Sequence, residues 1–308
     1  MSEFGKTLFI VNPSAKNGHG LEAVPIIEKA FAGHDFEIAY TEYEKHAKTI
    51  AYEAQGFDTI VSVGGDGNAH DTANGILARP EGDRPAFTLL PMGSGNDYAR
   101  TLCLPLDVAR AAEALSTGGR RARLDCGRCG EEFFHESVSF GIDAAIAIGT
   151  IELRKKTGGS GTSLYMQSGF DVIANHYRTY PATYALDGRP ANTRELLLFC
   201  VTIGKTYGGG FIINPHATGQ DGVLHVVTAT YMPRAKALGV FVLASKGKHT
   251  RFKDISFAEA THASVDYPFA PPTQFDGEPQ YETHYELELL PHGIEVIVPG
   301  TAPLDFAY

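Results

Sequence analysis

The chain has 308 residues, 43% hydrophobic and 20% charged, a composition that suits a folded globular protein of about two domains. Lysine and arginine number 26 against 36 acidic residues, a formal net charge of −10, which excludes wholesale nucleic-acid binding. No apolar run approaches the roughly 20 residues that cross a bilayer, and Met1 to Lys6 lack a signal-peptide layout, so a cytoplasmic protein is expected.

Thr7 to Val11 reads as a first strand, ended by Asn12-Pro13-Ser14 and a loop holding Lys16, Gly18 and Gly20. Val24, Ile27, Ala30 and Phe31 recur at helical spacing and predict a helix over 21–31. A strand at 36–40, a helix at 47–54, a strand at 59–63 and a helix at 68–77 follow. Next come a strand at 87–90, a helix opened by Asn96, and a helix at 108–115 capped by Asp107 and closed by Gly118-Gly119. This β-α alternation predicts an α/β domain with a parallel sheet and helices on both faces, over residues 1–122.

Beyond Arg120 the pattern becomes one of paired strands. Segments 123–126 and 133–140 surround a Gly130 turn, and 182–186 faces 195–203 across Asp187-Gly188. Further strands are expected at 223–230, within 254–266, and as a final pair at 282–290 and 293–298. Helices are expected at 163–176 and from Pro233 to Lys246. Residues 123–298 therefore predict a β-sandwich-like second domain. Of the four cysteines, Cys126 and Cys129 form a CxxC, but no second pair at zinc spacing accompanies them. They read as strand-turn cysteines.

Two stretches carry chemistry. Gly64-Gly65-Asp66-Gly67-Asn68 joins the β-branched strand 59–63 to a helix. Glycines let a backbone approach a ligand closely, and a helix N-terminus suits phosphate. Asp66 beside a phosphate calls for a cation or a ribose hydroxyl between them; otherwise it is a helix cap. The second stretch, Gly93-Ser94-Gly95-Asn96-Asp97, repeats the strand–glycine–helix layout, and both are expected at one crevice on the carboxyl edge of the sheet. Asn96 is the natural N-cap of its helix.

With these residues in place the chain resembles the diacylglycerol kinase catalytic-domain family, in particular the soluble bacterial lipid kinases. GGDG before a helix, PMGSGNDYAR, Asn12-Pro13, Tyr207 to Phe211 through Asp221-Gly222, and Asp276-Gly277-Glu278 match in order over nearly the whole chain. The family continues GGDG with Thr and then Asn-Glu; here Asn68, His70 and Asp71 stand at those positions. Asn68 keeps a donor for phosphate and Asp71 a carboxylate.

The resemblance implies transfer of the γ-phosphoryl group of ATP, with Mg2+, to the hydroxyl of a membrane-embedded lipid such as diacylglycerol. It assigns nucleotide contacts to Gly64–Asn68 and Gly93–Asp97, with Asn12, Ser14 and Lys16 added from the first loop. Lys16 reads equally as a solvated lysine. Glu278 is implied as the base, with Asp276 and Asp125 in support, and Asp66, Asp97 and Asp221 as metal ligands; by residue pattern alone Asp276-Gly277 is a hairpin turn. The resemblance also returns 299–308 to the first domain.

The basic runs Arg120–Arg123, Arg154–Lys156 and Lys246–Lys253 read either as solvated faces or as a patch for peripheral contact with an anionic membrane. A homodimer is left open. The competing readings are an NAD kinase-like enzyme and a catalytically weak lipid-binding or regulatory protein, the latter favoured by Asn68 and His70.

Overall fold

The computed structural model describes residues 3–159 and 161–304. The chain divides into two compact units, Met1–Asp125 with Pro291–Tyr308, and Cys126–Leu290. The return to the first unit thus begins at Pro291, earlier than the expected 299; the expected segment's last residues, 305–308, lie outside the described residues.

The first unit is built on parallel strands Phe36–Tyr40, Thr7–Val11, Thr59–Gly64 and Ala86–Pro91, in that spatial order, and Val296 of the His284–Pro299 strand pairs with Phe87. Thr7–Val11, Thr59–Gly64 and Ala86–Pro91 are buried at every position, as strands covered on both faces must be. The Val24–Ala30 helix packs with Val108–Gly118, and His46–Glu53 with Asp66–Leu77. The chain leaves the first strand for the sheet edge and then crosses to its other side, so the order reverses between Thr7–Val11 and Thr59–Gly64. A crevice opens at such a switch point, beyond the carboxyl ends of the strands.

The second unit is antiparallel. Its longest strand, Asn192–Thr202, pairs with Tyr180–Leu186, Ser137–Gly141 and Leu224–Thr230. Phe140, Phe199, Val201, Val265 and Leu287 fill one core. Leu197, Cys200 and Val227 face a second core under the Thr162–Asn175 and Arg234–Ala244 helices. The register shift between Ala229 and Thr230 lets Leu197 and Leu198 both turn toward the helices.

Several expected boundaries move. The 21–31 segment begins with a 3-10 turn at Gly20–Ala23 and becomes α-helical only at Val24–Ala30. Pro233 is the N-cap of Arg234–Ala244 rather than its first residue. The expected final pair is one strand, His284–Pro299, which passes through Gly293 with a local kink at His292 (φ 51°). Residues 254–266 break into Ile255–Ala260 and His262–Asp266. The Ile142–Thr157 helix was not expected, because Asp143 and Thr150 lie on its buried side and blur the apolar period. None of the four cysteines is in a disulfide, and Cys126 and Cys129 share the Gly119–Cys129 strand.

Candidate active site

In the first unit, three strand ends are tied side by side. Asn12 N–H donates to Val63 O at 2.9 Å, and Met92 N–H to Gly64 O at 2.7 Å. The first loop and both glycine stretches therefore meet at the switch point. A Cβ on Gly65 would stand 3.0 Å from the Gly93 Cα, so the two glycine turns touch backbone to backbone. The helix after Gly65 starts at Asp66, two residues earlier than expected, with no side chain capping it. Its first-turn N–H groups lack helical partners by construction and carry the positive end of the helix dipole.

Asp66 crosses to the second stretch. Its carboxylate accepts the Asn96 N–H at 2.7 Å and the Asp97 N–H at 2.8 Å. It, rather than Asn96, caps the short Asp97–Thr101 helix. Asn96, held at φ 53°, turns back instead: its Oδ1 accepts Gly93 N–H at 2.8 Å and its Nδ2 donates to Gly93 O at 3.0 Å. A Cβ on Gly95 would stand 2.6 Å from the Asp66 carboxylate, so glycine is needed there for close approach. Ser94 completes this loop, partly buried.

Burial and the neighbouring Asp97 carboxylate push Asp66 up to about 6, against the pull of the amides it accepts from. Asp97 is buried, and Arg100 lies 3.3 Å from it while also donating to Gly95 O. Two carboxylates this crowded fit a divalent cation, which relieves their repulsion. Mg2+ uses one or two carboxylates and takes its remaining oxygens from phosphate and water.

Other expected nucleotide contacts fare differently. Asn68 spends its side-chain amide on Ser62 Oγ at 2.7 Å and Ile10 O at 3.4 Å, locking the helix start to two strands. It offers a phosphate only its backbone N–H, a correction to the expected side-chain donor. Asn12 Oδ1 accepts Ser14 N–H at 2.9 Å, so Asn12 shapes the first loop. Ser14 and Lys16 are exposed, and Lys16 has left-handed backbone. His70 is buried, with its Nε2 3.3 Å from the Asn74 amide.

Asp125, also in this unit, is buried and accepts His292 N–H at 2.8 Å. It ties the returning strand down. The basic run beside it is likewise consumed internally: Arg120 donates to Ala302 and Leu304 carbonyls, Arg121 pairs with Glu295, and Arg123 lies 3.6 Å from Glu295.

In the second unit, Asp276-Gly277 is a two-residue hairpin turn, both at positive φ, with Phe275 opposite Glu278. The turn is also an anchor. The buried Asp276 carboxylate accepts the N–H groups of His135, Glu136 and Ser137 at 2.8–3.0 Å. This binding makes Asp276 a positioning residue for the hairpin. Glu278 opens the return strand and is half-buried.

Behind the hairpin lies a relay that sequence reasoning missed. Gly277 N–H donates to Gln274 Oε1 at 2.6 Å, Gln274 Nε2 donates to Ser139 Oγ at 2.8 Å, and Ser139 donates to Asp143 Oδ2 at 2.5 Å. Tyr165 donates to the other Asp143 oxygen at 2.5 Å. Burial raises Asp143 above the usual carboxylate range, against the pull of these hydrogen bonds. The available signal was an aspartate inside an otherwise apolar IDAAIAI helix start.

Asp221 closes its own loop: its Oδ2 accepts Thr218 N–H at 3.0 Å and lies 3.0 Å from His225 Nε2. Burial opposes ionisation, but the hydrogen bonds from His225 and Thr218 outweigh it and hold the carboxyl below its ordinary value. Among the described residues Asp221 belongs to no group of three side chains that could ligate a metal.

A parallel α/β unit with a glycine-lined, carboxylate-bearing switch point, followed by an antiparallel sandwich-like unit, defines a class of nucleotide-using kinases. Residues 6–129 match the model of the diacylglycerol kinase catalytic domain, and 136–298 match the YegS C-terminal NAD kinase beta sandwich-like domain. The chain belongs to this diacylglycerol kinase family, in its YegS-like lipid kinase form.

Relatives described as "Probable lipid kinase YegS-like", from Yersinia pestis (strain Pestoides F) and Yersinia pseudotuberculosis serotype O:1b (strain IP 31758), are each 26% identical over 265 residues. The alignment spans 85% of this chain and 84% of theirs. A solved diacylglycerol kinase from Bacillus anthracis str. Sterne superposes over 97% of this chain and 98% of its own, with a TM-score of 0.75 at 21% identity. An NAD kinase from Archaeoglobus fulgidus in complex with ATP reaches a TM-score of 0.51 at 13% identity, covering 96% and 93%. Both structural likenesses bear on the fold alone.

Proposed function

We propose that this lipid kinase is ATP- and Mg2+-dependent and phosphorylates the hydroxyl of a lipid such as diacylglycerol. The observation that carries the reading is Asp66: a carboxylate held by the amides of the second glycine stretch, beside the free N-terminus of its own helix. The phosphates take the N–H groups of Gly67 and Asn68 and the loop carrying Ser14 and Lys16. Asp66 and Asp97 would hold Mg2+, which, when bound, offsets the negative charge of the phosphoryl group in transfer. Glu278 takes the proton of the lipid hydroxyl as its oxygen bonds to the γ-phosphorus and the bond to the ADP oxygen breaks.

The test is incubation with labelled ATP, Mg2+ and a panel of lipid alcohols, with NAD as a further acceptor. Label in a lipid supports the reading. Label in NAD instead assigns the chain to the NAD kinase-like alternative, and label nowhere favours a non-catalytic lipid-binding protein.

A further inference from the structure

The Arg234–Ala244 helix departs from the pattern of a surface helix, which turns a polar face to water. After Lys236 it reads ALGVFVLA, without a charge. Its inner side is packed: Phe241 stacks on Phe211 at 5.1 Å between centroids, and Gly169 of the Thr162–Asn175 helix leaves room for that ring. Its outer side is apolar as well. Ala235, Leu238, Gly239 and Val242 are exposed in one stripe at helical spacing. Beside the stripe, exposed Phe170 meets the edge of Phe241 at 6.0 Å, and Tyr231, 63% exposed, precedes the helix.

The flanks of this stripe are cationic. Arg234 and Lys236 open the helix, and Lys246, Lys248, Arg251 and Lys253 follow it, all four exposed. From Tyr231 to Asp254 the sole acidic residue is Asp254, which Lys236 binds. In a chain of net charge −10 this is a local reversal of sign. Of the other residues of the 246–253 run, His249 is not part of the surface: it is buried, with its Nε2 2.9 Å from Ile213 O.

We infer that this helix and its basic flanks are the surface by which the second unit docks on an anionic lipid bilayer. Exposed Leu, Val and Phe beside tyrosine and Lys/Arg is the chemistry of an interfacial helix: apolar side chains enter the acyl boundary while the cations meet headgroup phosphates. A second copy of the chain is disfavoured as the occupant. A twofold contact over the stripe brings each cationic flank close to its own copy, and like charge opposes closure. The inference deepens the lipid-kinase reading and rests on it for the choice of a membrane as partner.

The experiment is co-sedimentation of the full chain, without ATP, with phosphatidylcholine vesicles that contain or lack phosphatidylserine. The expected result is binding that needs phosphatidylserine, weakens with salt, and falls about tenfold in Leu238→Gln/Val242→Gln. Lys246→Gln/Lys248→Gln, which leaves the helix untouched, should lower binding to anionic vesicles alone. Circular dichroism confirms that each variant is folded. Phosphorylation of a short-chain lipid alcohol dispersed in detergent should be unchanged in both variants.

Vesicle binding indifferent to both variants overturns the inference. So does a wild-type dimer in sedimentation velocity that Leu238→Gln/Val242→Gln converts to monomer without changing vesicle binding. If no lipid is phosphorylated but the variants still lose vesicle binding, the docking surface stands and the kinase reading falls.

Discussion

Glu278 and Asp66 are both carboxylates beside glycine, yet their surroundings differ, and the function proposed above gives them different tasks. Glu278 is half-buried at the start of a strand whose preceding turn is anchored by Asp276. A general base contributes roughly 10²–10⁴-fold to rate, and glutamine keeps the size while losing the capacity to take a proton. Glu278→Gln should therefore lose kcat on that scale with ATP affinity unchanged; near-wild-type turnover would remove it as the base.

Asp66 makes a prediction about pH. Its folded value of about 6 lies above the ordinary 3.8, so between these two the folded chain holds a proton that the unfolded chain has released. The stabilisation is fully present below about 3.8 and is lost as pH rises through about 6. Denaturant midpoints at pH 4.5 and 7 should thus show a loss at the higher pH that shrinks in Asp66→Asn. The difference between the losses in the two proteins corresponds to roughly 1–2 kcal/mol after allowance for solvent screening. Identical losses in the two proteins would contradict the crowded-carboxylate geometry.

At the scale of elements, the Thr273–Phe275 and Glu278–Gln280 hairpin is short, and a two-stranded ribbon is marginal alone. Thr273–Phe275 also joins the sheet beside Ser137–Gly141, so the hairpin's position depends on that pairing and, at its turn, on the hydrogen bonds behind it. Gln274 is the hub: it accepts from Gly277 and donates to Ser139. Gln274→Ala should cost about 1–3 kcal/mol by leaving buried polar partners unsatisfied, read by urea unfolding. It should also lower kcat without lowering ATP affinity, because it lets Glu278 wander. A purely structural role predicts the stability loss with kcat preserved in the folded fraction. The same scale explains the two remaining basic runs. Arg154–Lys156 closes the Ile142–Thr157 helix and favours its negative end, whereas Lys246–Lys253 flanks the apolar stripe proposed above to meet a membrane.

For the whole molecule, the charge of −10 makes nucleotide binding a local affair that works against the net field. On the function proposed above, the helix N-terminus and a cation held at Asp66 would offset that field for a nucleotide. Saturating MgATP should then raise the unfolding midpoint, by about 2.7 kcal/mol at a hundredfold excess over Kd. Asp66→Ala should abolish that rise while the ligand-free chain still unfolds cooperatively. An undiminished rise in the variant would place the nucleotide elsewhere. Among the described residues no helix is long and apolar enough to cross a membrane.

The strand–glycine–helix pattern, the order of α/β and antiparallel segments, and the glycine stretches were legible in the sequence because each is a local property. β-branched runs, glycines and cap residues state their preferences within a few positions. What Asp66, Asn68, Asn96 and Asp276 do was not legible. The partners of Asp66, Asn68 and Asp276 lie 30, 58 and 139–141 residues away, and a side chain's choice among partners is made by whichever group the fold brings into hydrogen-bond reach. Asn96 turns back to Gly93, three residues off, because the fold holds its backbone left-handed. The apolar stripe on Arg234–Ala244 stayed hidden for the same reason. A helix apolar on all sides reads as core, and only the packing of Phe241 against Phe211 shows which side is left facing outward.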